Sequence, residues 1–139
     1  MTANAIQLPQ PTNRTAKGPR YRSEGQRIVV EYDYEPDGGS LVWSEVAFDE
    51  VLTFSFKQVA CCHAADIVSS TEVAQLNDST LLRDTIARWQ ESVGWQEWQT
   101  KQGGMARFKH FKMFFDEAGC IDVVAAACTL LSPQSIKSD

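Results

Sequence analysis

The stretch from Met105 to Leu130 constrains the fold more than any other part of the chain. Two runs with the character of strands, 105–115 and 120–130, flank Asp116-Glu117-Ala118-Gly119. Side chains of period two around a short turn that ends in glycine specify a β-hairpin, with the glycine placed for a bulge after a type I turn. Pairing Asp116 with Cys120 sets Phe114 opposite Asp122, Lys112 opposite Val124 and His110 opposite Ala126. One face then carries Phe111, Met113, Phe115, Ile121, Val123, Ala125 and Ala127, a core face. The other carries Phe108, His110, Lys112, Phe114, Asp122, Val124 and Ala126, and is mixed.

Further strands lie upstream. Ile28, Val30, Tyr32 and Tyr34 alternate with Val29, Glu31 and Asp33. Glu35-Pro36-Asp37-Gly38-Gly39 supplies a turn, because proline presets φ and glycine accepts positive φ. Residues 41–48 then return antiparallel, Asp49-Glu50 interrupts, and residues 51–57 form a third strand. Asn77-Asp78-Ser79-Thr80 offers helix N-caps, and Leu82, Ile86, Trp89 and Val93 recur at helical spacing before Gly94. Residues 58–77, including Ala60-Cys61-Cys62-His63-Ala64-Ala65, fit a turn of helix or a buried loop. The pattern predicts an α+β fold, a mainly antiparallel sheet of about five strands with one principal helix packed on one face.

A chain of 139 residues, 43% hydrophobic and 22% charged, suits one small globular domain. It has no apolar run of roughly 18 residues that would suit a membrane span. Residues 1–24 hold Pro9, Pro11 and Pro19 without apolar period and read as a flexible basic arm. Arg14, Lys17, Arg20 and Arg22 against Glu24 give it 4 − 1 = +3. The remainder holds 13 − 4 = 9 basic and 18 − 1 = 17 acidic groups, or −8, within a formal total of −5. Such an arm suits an anionic partner or its own acidic body. Residues 25–131 read as a single domain and 132–139 as a frayed tail. The acidic balance argues against nucleic acid as a partner of the body.

Residues 1–10 lack the apolar segment of a secretory signal, and four cysteines are too few for a disulfide framework. On one straight strand Cys120 and Cys128 would stand about 26 Å apart, too far to bond. Free thiols in a cytoplasmic, bacterial-type protein are the expectation.

Chemistry-bearing groups are few. His110, Lys112 and Asp122 share a face, but in this register Asp122 lies roughly 13 Å along the strand from the partner of His110, beyond a direct bond. Cys61, Cys62 and His63 offer thiolate and imidazole, yet adjacent cysteines chelate one ion poorly and a fourth zinc ligand is missing. A Cys nucleophile beside His63 is disfavoured because chain neighbours point apart. No phosphate-binding glycine loop, nucleophile elbow or H-E-x-x-H zinc motif occurs. No catalytic residue, metal or cofactor is assigned. Trp89 suits the buried helix stripe, whereas Trp95 and Trp98 lie in a polar stretch and suit an interface.

The segment from Phe108 to Ala125 resembles a hairpin of small uncharacterised bacterial proteins and of immunity-type proteins of toxin systems, with an aromatic-rich strand, an F-D-x-x-G-type turn and a V-V-A strand. That resemblance implies toxin neutralisation as one version of the leading expectation, a non-enzymatic protein-binding module. Its candidate binding residues are Trp95, Trp98, Phe108, His110, Lys112, Phe114 and Asp122. The alternative is a small enzyme or ligand-binding protein, with a pocket between sheet and helix that uses His110, Asp122, Cys61 or His63. A homodimer through a sheet edge or the mixed hairpin face is a third arrangement.

Overall fold

The computed structural model describes residues 2–13, 15, 18–35, 41–93 and 107–135. Among them, nine strands form two antiparallel sheets with one α-helix, so the fold is α+β. The strands are β1 (Thr2–Gln7), β2 (Arg20–Glu24), β3 (Arg27–Tyr34), β4 (Val42–Asp49), β5 (Thr53–Gln58), β6 (Glu72–Leu76), β7 (Lys109–Phe115), β8 (Gly119–Ala125) and β9 (Ala127–Ser135). The helix, α1, spans Thr80–Val93. One sheet has the order β1-β6-β7-β8-β5 and the other β2-β3-β4-β9.

The core lies between the sheets. Phe111, Met113, Phe115, Ile121, Val123 and Ala125 meet Val30, Tyr32, Val46 and Phe48 there, joined by Leu8 and Val73. These are the alternate positions that the hairpin pattern assigns to a core face. Phe48 and Phe111 sit with ring centroids 5.6 Å apart, tilted as aromatic quadrupoles favour. The mixed face of the hairpin forms an outer layer, where Leu82 and Ile86 of α1 bury Phe108 and Val124. Ser79 caps the helix, its hydroxyl oxygen accepting the Leu82 N–H at 3.1 Å.

The interruption expected at Asp49-Glu50 is a change of sheet, and the run 120–130, expected as one strand, is broken by a second such change. Glu50, at φ 54°, separates β4 in one sheet from β5 in the other. The run 120–130 likewise breaks at Ala126, whose N–H donates to the Asp49 carbonyl at 3.0 Å. Cys120 and Cys128 therefore belong to β8 and β9, in different sheets, rather than to one straight strand. A twisted sheet cannot cover its own apolar face, and folding one long strand over two layers buries it.

Residues 1–24, expected as an arm without regular structure, contribute β1 and β2. The first pairs along its length with β6 and the second with β3. Between them, Leu8 and Thr12 are buried, the Thr12 hydroxyl donates to the Phe114 carbonyl, and Tyr32 Oη donates to the Gln10 carbonyl at 2.6 Å. Thr-Ala-Asn-Ala-Ile-Gln carries little strand propensity, so tertiary pairing rather than local preference decides its conformation. Of the four basic residues read there, Arg20 and Arg22 lie on the body's own acidic groups: Arg20 bonds Glu31 at 3.2 Å and stacks 4.0 Å over Trp43, and Arg22 pairs with Glu24, Glu31 and Glu45. Arg14 and Lys17 lie outside the described residues. Strand β9 runs to Ser135, into the stretch expected to fray.

Candidate functional site

The hairpin turns one residue earlier than its sequence suggests. Phe115 pairs with Gly119, so Asp116, Glu117 and Ala118 form the loop and Lys112 faces Asp122. Gly119 opens β8 at φ +151°, and a Cβ there would stand 1.9 Å from the Lys57 carbonyl oxygen of β5. The neighbouring strand, not only the turn, requires glycine. This two-residue shift preserves which side chains share a face and changes who meets whom. His110 now faces Val124 and reaches diagonally to Asp122, Nε2 to Oδ1 at 2.7 Å. The expectation that these two groups stand too far apart to bond is thus overturned by register.

The bond is one link in a chain of polar groups on the outer face of the first sheet. Ser79 Oγ lies 2.8 Å from His110 Nδ1. Lys112 Nζ lies 3.5 Å from both Asp122 and Asp66, and Lys57 Nζ donates to Asp66 at 2.8 Å. The chain folds back after β5 through two short 3₁₀ turns, Val59–Cys61 and Ala64–Asp66, which set Asp66 and Cys62 over the sheet. Cys62 Sγ approaches Cys120 Sγ to 2.9 Å.

Electrostatics follow from these partners. The His63 N–H, 2.9 Å from the carboxylate, and the Lys57 ammonium hold Asp66 down at about 2. Burial pushes Asp122 upward, yet the His110 hydrogen bond and the charge of Lys112 outweigh it and keep its carboxyl below the usual range. Burial drives the Cys120 thiol up to about 12. Donor atoms of Asp66, Cys120 and Asp122 all lie within 4.8 Å of one another. Lys57 and Lys112 already supply that cluster's counter-charge, and a thiol held protonated is a poor metal ligand.

Ser79, His110 and Asp122 name the residue types of a hydrolytic triad, but their placement serves structure. The serine oxygen caps α1, while His110 and Asp122 are 5% and 7% exposed. None of the three lines the two grooves below. Phe108, Phe114, His110 and Asp122 do share a face as expected, with half-buried Lys112 among them, but α1 and the 59–66 segment cover that face. They are withdrawn from an open binding surface. Cys61 and His63 are exposed, and Cys62 turns away from them towards Cys120. Trp95 and Trp98 lie outside the described residues.

Two grooves stand out among the described residues, beside a smaller hollow of about 120 Å³ lined in part by Trp89 and Phe108. One of about 440 Å³ lies between α1 and the β4–β5 connection, lined by Gln26, Val51, Leu52, Thr53, Thr85, Arg88 and Trp89. A pocket between sheet and helix is therefore present, without the polar groups expected of it. The other, of about 320 Å³, is apolar: Gly18, Pro19, Arg20, Tyr21, Phe54, Phe56, Ala118 and Ile121 line it. It lies where β2 and β5, end strands of their respective sheets, meet, and Tyr21 touches Phe54 with centroids 5.0 Å apart. Tyr21 pairs with Val30, and Phe54 and Phe56 pair with Val123 and Ile121, all core positions. The interior apolar layer thus runs out to this edge and stays open, leaving Tyr21 64% and Phe56 41% exposed. Sequence reasoning missed this site because Arg-Tyr-Arg-Ser-Glu was read as arm; its alternation of Tyr21 with Arg20 and Arg22 was the available signal.

No protein family, curated protein or solved structure matches this chain. The hairpin resemblance rests on residues 108–125 alone. Among the described residues, no helix is long and apolar enough to cross a membrane.

Proposed function

We propose that the chain is a non-enzymatic protein-binding module whose contact surface is the open edge formed by β2 and β5. The observation that carries this reading is the unclosed apolar layer at that edge, with Tyr21 and Phe56 exposed between two strand margins that, among the described residues, pair with no further strand. An extended partner segment adds main-chain hydrogen bonds to a free strand edge, and its alternate side chains fill the pockets beside it. The groove here takes large apolar side chains at alternate positions. Around it, Arg20, Arg22 and Lys57 already hold carboxylate partners. Apolar contact and backbone pairing, more than charge, would supply the affinity.

The test is panning of a displayed random peptide library against the full chain. Selected peptides should be extended, with alternating apolar residues, and Phe56→Asp or Tyr21→Asp should weaken them at least about tenfold, the loss typical of an interface anchor. Light scattering shows whether a second copy of the chain occupies the edge instead. Peptides that bind both variants as tightly as the parent would sink the proposal.

A further inference from the structure

Cys62 and Cys120 do not line the apolar groove, and they serve neither the helix cap nor the core between the sheets. Their sulfurs are 2.9 Å apart, so closing to a disulfide length of about 2.04 Å needs only about 0.9 Å of movement. The sequence separates them by 58 positions, and the fold brings them together by a specific route. Cys120 pairs with Lys57 in the β5–β8 ladder. The chain then turns back through 59–61, where the Val59 N–H donates to the Ala118 carbonyl at 3.0 Å, and delivers Cys62 over β8. The two thiols differ in access: Cys62 is half-buried in a surface turn, whereas Cys120 is 1% exposed.

We propose that Cys62 and Cys120 form a reversible disulfide on exposure to a hydroperoxide, a redox site built across the 59–66 turn and β8. In the first step the Cys62 thiolate attacks the outer peroxide oxygen. The O–O bond breaks, the alcohol or water leaves, and Cys62 becomes a sulfenic acid. In the second, the Cys120 sulfur attacks the Cys62 sulfur. The new S–S bond replaces the S–O bond, and the hydroxyl departs with the Cys120 proton as water. Two thiols are oxidised, one hydroperoxide is reduced, and an external thiol reverses the bond by exchange. The asymmetry in access assigns the roles. Cys62 meets the oxidant, and Cys120, buried and already in contact with Cys62, is the resolving group. The crosslink pins the turn that carries Asp66 to the start of β8.

The experiment uses the full chain with hydrogen peroxide at a small molar excess, followed by alkylation and peptide mass mapping. Four alkylatable thiols should fall to two, the 62–120 linkage should be recovered, and dithiothreitol should restore all four. Cys61→Ser, a control at an exposed neighbour, should leave the linkage intact, while Cys62→Ser and Cys120→Ser should each abolish it. Retention of four thiols, a linkage through Cys61 or Cys128, or direct passage of Cys62 to sulfinic acid would overturn the proposal.

Discussion

At the scale of the residue, Gly119 and Asp66 carry the sharpest expectations. Any Cβ at Gly119 collides with the backbone of β5, which cannot move without breaking the β5–β8 ladder. Gly119→Ala should cost upwards of about 3 kcal/mol by chemical denaturation, well above the typical single substitution. Ala118→Gly, one residue earlier, should cost far less. Asp66 titrates near 2 in the folded chain against an ordinary value of 3.8. Between those values the unfolded chain binds more protons, so stability falls as pH drops through about 4 to 2 and is level above it. Allowing for solvent screening of its half-exposed partner Lys57, the contribution is about 1–2 kcal/mol. Asp66→Asn should lower the urea midpoint at pH 6 and flatten that acid limb. An unchanged limb would show that the carboxylate is not held by these partners.

At the scale of the element, the chain's patterns were legible where a strand or helix writes its own period. The β3–β4 pair, the β7–β8 faces and α1 all follow from spacing, because each buries one regular stripe. What was not legible depends on partners distant in sequence. Thr2–Gln7 and Glu72–Leu76 are short and weakly patterned, and pairing makes them strands: the first with the second, and the second with β7 as well. The interruption at Asp49-Glu50 was readable, but that it and the break at Ala126 carry the chain from one sheet to the other follows from the need to cover one sheet with another, which no local window encodes. The hairpin shows how fine the boundary is. Its faces were readable, but its register turns on a close approach between Gly119 and Lys57, and that shift alone created the His110–Asp122 bond.

For the whole molecule, residues 2–24 matter more than their composition suggests. They supply an edge strand of each sheet, part of the core through Leu8, the acceptor for Tyr32 Oη and half of the proposed groove. A chain lacking residues 1–24 should therefore lose its cooperative thermal transition, as followed by far-UV circular dichroism. Retention of that transition would mean that β1 and β2 merely decorate a self-sufficient body. The exposed groove residues belong to the same design, since the apolar layer that stabilises the two sheets also surfaces at their shared edge.

The most direct test of the account is amide hydrogen exchange on the full chain with and without a panned peptide. Strand addition at this edge predicts new protection concentrated in β2 and β5, at amides that face away from β3 and β8, with the β7–β8 hairpin unchanged. Protection centred on the groove beside α1, or spread without reference to either edge strand, would contradict it.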